Sequence, residues 1–170
     1  MIRRVAFGKA ILAGALGALA WEALVRILIL FGVPLFDLVF TLGTMVLGDV
    51  RPWLWWPAGL VLHATVGAIW AIFYAYFFWS TYDWRPAFQG LLFSVGPAVL
   101  AGLIIVPQMS FMHPLILAGR LPVPGVFGVK LGWGGPAGIL LGHLIYGAVM
   151  GSLYIRPVGY RVGRRMRLYG

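Results

Sequence analysis

The sequence predicts an all-α membrane protein, a bundle of four transmembrane helices, and three observations predict it. Apolar residues make up 62% of the 170 residues and charged residues only 10%. Four apolar runs are each long enough to cross a bilayer, and the basic residues gather at the ends of those runs. A soluble domain typically carries about 25% charged residues to cover its surface. A chain this apolar has lipid as its solvent.

The four runs are residues 8–32, 57–79, 87–106 and 136–155, each near the roughly 20 residues that a spanning helix needs. The first follows Arg3, Arg4 and Lys9 and contains Ala18-Leu19-Ala20, which has the look of a secretory leader and its small-residue cleavage site. Because the apolar stretch continues past Ala20, it reads as an uncleaved helix.

Orientation follows from the basic residues, which collect on the cytoplasmic side of a membrane. With the N-terminus inside, the inner segments hold Arg3, Arg4, Lys9, Arg85, Arg156, Arg161, Arg164, Arg165 and Arg167, against Arg51, Arg120 and Lys130 outside. Both termini are therefore expected in the cytoplasm, with 157–170 a basic tail touching anionic lipid. The net charge of +9 does not indicate nucleic-acid binding, since the charges mark helix ends and form no basic face. With no cysteine, disulfides and thiolate metal sites are excluded.

Two connections on the outer side, 35–47 (LFDLVFTLGTMVL) and 108–118 (QMSFMHPLILA), are too apolar for water and too short to span. They read as interfacial or re-entrant helices. The second and fourth runs also open alike. Pro57-Ala58-Gly59 leads to His63 and Pro136-Ala137-Gly138 to His143, followed by Gly67 and Gly147, Ala71 and Gly151, and Tyr74 and Tyr154 at matching offsets. The single membrane domain thus reads as two parallel repeats, about 8–80 and 87–156. An even number of crossings per copy places them side by side, with both histidines about 10 Å of helix rise below the outer surface.

The series Phe36-Asp37, Pro-Ala-Gly, then His-x3-Gly-x6-Tyr resembles small prokaryotic inner-membrane proteins of the YagU-like kind. That resemblance implies a prokaryotic plasma membrane and four helices. It implies no activity.

Few residues carry chemistry. Glu22 and Arg26 stand four apart on one helical face, the acid first, the better order for an ion pair; charges at such depth normally face the protein interior. With His63 and His143 they form a candidate polar cluster in the outer half of the bundle. Its plainest role is a self-neutralising pair that fixes packing, with histidines bonding across helices; a proton, quinone or solute site is the sharper one. His63 and His143 are also candidate axial ligands of haem b, although no cofactor is the leading expectation. Gly67, Ala71, Gly147 and Gly151 share the histidine faces at the spacing of close helix contact. Met109, Met112 and His113 could offer soft ligands to Cu(I), or simply fill apolar gaps. No nucleophile elbow, phosphate loop or zinc-site spacing is present. The expected role is a non-enzymatic subunit or scaffold in a larger membrane complex, respiratory or redox, or a self-associating protein. A haem- or quinone-binding protein and a small proton or solute transporter are the alternatives.

Overall fold

The computed structural model describes residues 5–79 and 84–154. Arg3 and Arg4, residues 80–83 and residues 155–170, which include the basic tail, lie outside the described residues. Among the described residues the chain is helical and has no strand. Four helices among the described residues are long and apolar enough to cross a membrane: Phe7–Leu30, Pro52–Phe78, Pro86–Met112 and Gly134–Leu153.

The first, α1 (Phe7–Leu30), is rich in alanine and leucine, the strongest helix formers. It stops where Gly32 takes φ +82°, and the Val33 N–H reaches back to the Leu28 carbonyl, the left-handed glycine closure of a helix end. The short helix α2 (Leu38–Leu47) begins at Asp37, whose Oδ1 accepts from the Phe40 N–H at 2.9 Å. This cap satisfies one of the free amides of the first turn. α3 (Trp55–Phe73) carries prolines only ahead of it and in its first turn, where a missing N–H costs nothing. It runs on through a π-helical turn, Tyr74–Phe78.

The third span departs from the sequence reading. Its helix does not end near Val106. α4 (Pro86–Leu100) passes through a π-helical turn, Ala101–Ile105, into α5 (Val106–Met112). Pro107 has no amide hydrogen and crowds the carbonyl four residues back; the wider π turn immediately before it relieves that conflict while the helix continues. The stop comes at His113, which is extended (φ −79°, ψ 118°) because the residue before a proline is disfavoured in the helical region. Beyond it only one turn, α6 (Pro114–Leu117), remains. Residues 108–118 are therefore half extension of a span and half loop, not a counterpart of α2. A tight turn around Val126–Leu131 leads to α7 (Gly134–Leu153).

α1 packs against α3 and α7, α4 packs against α7, and α2 lies along the start of α3. Small residues allow these approaches. Gly14 on α1 faces the Gly67 carbonyl and Ala71 on α3, while Gly90 on α4 faces the Gly147 carbonyl and Gly151 on α7. Gly43 and Gly59 bring the backbones of α2 and α3 together in the same way. The two ends of the described chain share one face of the bundle, since the Ala6 N–H donates to the Tyr154 hydroxyl at 3.3 Å. There an aromatic cluster joins α3 to α4: Phe93 lies 5.3 Å from Tyr74 and 5.6 Å from Phe78, ring centre to ring centre. Towards α2 the same two helices diverge.

Any side-chain atom at Gly90 collides with the Gly147 backbone, whereas Gly96 on the same helix faces open space. Gly90→Ala is expected to destabilise by about 2 kcal/mol or more, in the range of overpacking. Gly96→Ala should be neutral or stabilising by up to about 1 kcal/mol. Detergent unfolding curves of the two variants measure the contrast.

Candidate functional site

The divergence of α3 and α4 leaves a crevice of about 150 Å³. Its back wall is α1 and α7, and Phe36, α2 and Met109 close its upper end. His63 and His143 both line it, and both are buried. Trp21 fixes their positions. Its indole lies 4.7 Å from the His63 ring and 4.6 Å from the His143 ring, centre to centre. The indole fits because position 142 is glycine; a β-carbon there would overlap its rings.

The polar atoms of the crevice are unevenly satisfied. The Tyr146 hydroxyl donates to the Gly67 carbonyl at 2.7 Å, tying α7 to α3 at the glycine contact. His143 Nδ1 donates to the Ile139 carbonyl one turn back, at 2.7 Å. His63 Nδ1 is buried with no hydrogen-bond partner. The mouth is apolar and open: Val66 is 45% exposed and Leu100 41%, on opposite lips.

Glu22 and Arg26 form a separate group. Arg26 Nε donates to Glu22 Oε1 at 2.7 Å, as the spacing predicts. Its Nη2 lies 2.7 Å from Asp37 Oδ1, and its guanidinium stacks 3.9 Å above the Trp56 ring. A planar guanidinium suits both contacts, charge to carboxylate and face to face with an aromatic ring. Glu22 is buried, and its Oε2 has no hydrogen-bond partner. No hydrogen bond joins this network to either histidine among the described residues, so the four-residue cluster resolves into two groups: an ion-pair network and a histidine crevice.

Haem b does not fit between His63 and His143. The indole of Trp21 packs against both imidazoles, and a cavity near 150 Å³ is the size that holds a benzene ring, far short of a tetrapyrrole. The Met109, Met112 and His113 set does not converge either. Met112 is 59% exposed while Met109 and His113 are buried. Both nitrogens of His113 are engaged: Nδ1 accepts from the Leu115 N–H at 3.2 Å, capping α6, and Nε2 sits 3.1 Å from the Thr41 carbonyl and 3.1 Å from the Thr44 hydroxyl on α2. The ring is a tie between α6 and α2. Among the described residues no group of three or more His, Cys, Asp or Glu gathers at one point. Outside the spans, Asp49 pairs with Arg120, and its hydrogen bond and charge raise the arginine further above its ordinary pKa.

Sequence reasoning missed Trp21 and Asp37. A tryptophan in the middle of a span, away from the interfacial belts where the residue usually sits, was the available clue to the first. No family model, curated protein sequence or solved structure matches the chain, so the YagU-like resemblance rests on its short motifs alone.

Breaking the ion-pair network from one side leaves buried charge uncompensated, at a typical cost of 3–5 kcal/mol. Arg26→Met should lose about that much stability, and Glu22→Leu combined with Arg26→Met should recover most of it. A double-mutant cycle on detergent unfolding gives the coupling. His113→Leu, which strands a cap and a threonine, is expected to cost about 1–3 kcal/mol with no change in bound metal by elemental analysis.

Proposed function

We propose that the chain is a non-catalytic, multi-pass protein of a prokaryotic plasma membrane that holds a lipid-phase molecule in the crevice between α3 and α4. One observation carries this reading: an apolar pocket runs from the open lips at Val66 and Leu100 to two buried imidazoles. Binding pockets are typically apolar hollows with a small number of placed polar groups. A span interior that keeps ionisable side chains beside a cavity is a candidate site by default.

The distribution of basic residues, nine inside against three outside on the N-in assignment, supports cytoplasmic termini. The parallel duplication gains support from the matching contacts of Gly14 with Gly67 and Ala71, and of Gly90 with Gly147 and Gly151. The outer segments do not match, so any shared ancestry of the halves was followed by divergence at α2 and α5. A role as subunit of a larger membrane complex rests on the scarcity of reactive groups, and holding a lipid-phase molecule agrees with it. Transport through Glu22 and Arg26 has less behind it, since the pair is engaged with Asp37.

A fatty alcohol carrying a diazirine, incorporated in nanodiscs with the protein, tests the crevice. Photolabelling should concentrate on the α3 and α4 lips and fall at least fivefold in Val66→Trp/Leu100→Trp, which fills the mouth from outside the helix contacts. Labelling spread evenly over all lipid-facing helices would remove the reading. Because the chain has no cysteine, single substitutions at Asp49, Arg85 and Lys130 report sidedness directly. An impermeant maleimide added to intact cells should reach positions 49 and 130 and spare 85.

A further inference from the structure

The two imidazoles of the crevice differ in what they have left to offer a hydrogen-bond partner. His143 spends its Nδ1 hydrogen on the Ile139 carbonyl, so in the neutral ring Nε2 presents a lone pair. His63 Nδ1 is buried without a hydrogen-bond partner, and a neutral imidazole carries one N–H and one lone pair on its two nitrogens, so this ring is able to donate as well as accept. One ring is left only to accept, and the other is able to donate to a shared partner, at a wall set by Trp21. The Tyr146 hydroxyl is committed to Gly67.

A ligand that satisfies both rings with one group must accept and donate from a single atom, which is what a hydroxyl does. A carbonyl only accepts, an ammonium only donates, and a carboxylate would bring an uncompensated charge into an apolar site. The volume, about 150 Å³, holds one six-membered ring, and the surrounding Trp21, Trp70, Tyr146 and Phe36 offer aromatic faces and edges against which such a ring stacks. The open lips at Val66 and Leu100 give a substituent on that ring a path to the lipid.

Resting on the crevice reading above, we infer that the site takes a lipid-soluble hydroxylated aromatic ring of the quinol class. Its hydroxyl lies between His63 and His143, and its alkyl or isoprenoid tail leaves between α3 and α4. The reduced, hydroxyl-bearing form is the one matched, since the oxidised dione has no hydrogen for His143. A bridging water has the same polarity and is the competing occupant.

Binding of decylhydroquinone, kept reduced under argon, is compared with that of its dimethyl ether, using protein in nanodiscs and Trp fluorescence quenching as the readout. The ether keeps ring and tail and accepts from His63, but cannot donate to His143. The hydroquinone is expected to bind about tenfold more tightly, the worth of one such hydrogen bond. His143→Leu should abolish that preference while leaving ether binding within twofold, which also shows that the pocket has kept its form. Equal affinity of the two compounds for the unaltered protein would overturn the hydroxyl assignment and leave the crevice reading intact. A preference that survives His63→Leu/His143→Leu would overturn it too. Binding of neither compound, as expected if water alone fills the gap, would end both readings.

Discussion

The seat of Trp21 against Gly142 is the constraint on which the rest of the structure depends. An indole is among the largest side chains a helix can bury, and it enters the α1–α7 contact only because residue 142 contributes no side chain. Once seated, it settles the positions of three neighbours. His63 and His143 pack on its rings, and Glu22, the next residue along α1, is buried at the same level. Below this wedge the helices close on one another through glycine and alanine; above it α3 and α4 part.

The two ends of the bundle thus follow different rules. Towards the chain ends, Gly14, Gly67, Gly90, Gly147 and Gly151 let backbones touch, and dispersion over close surfaces holds helices that lipid itself would solvate equally well. Towards α2 the contacts are longer and polar: the Asp37 cap, the Arg26 bridge and the His113 tie. A π turn opposite each region adds local irregularity. In α4 that turn leaves Gly102 facing the ring of Phe127, a residue held at φ +50°, where non-glycine residues rarely sit. The loop is anchored by its own aromatic side chain.

Much of this was legible in the sequence. The spans announce themselves by length and apolarity, and the existence of a short helix after Asp37 follows from its apolar, non-spanning run. The Glu22–Arg26 pair follows from a spacing of four. The continuation of the third span beyond Pro107 was not legible, because a proline ordinarily marks an end and the compensating π turn has no composition of its own. Nor was the role of His113. A histidine near two methionines suggests ligation, whereas here a following proline fixes its backbone and a threonine two helices away, Thr44, receives its ring. Trp21 was obscured by the rule that places tryptophan at interfaces, and the two histidines were read as partners of Glu22 when they are partners of an indole. Sequence spacing shows which residues share a helical face but not which neighbouring helix that face meets.

The location of the Glu22–Arg26 pair within a single helix bears on biogenesis. Each charge alone would burden a lone segment entering the bilayer by about 2.5–3.5 kcal/mol near its centre. Because acid and base are one turn apart on α1, they neutralise one another within that helix, without the helices that follow it, so α1 can leave the translocon unaided. Asp37 and Trp56 then arrive with the following two segments and recruit a guanidinium already waiting in the membrane, which gives the nascent chain a polar landmark for docking its second helix in register.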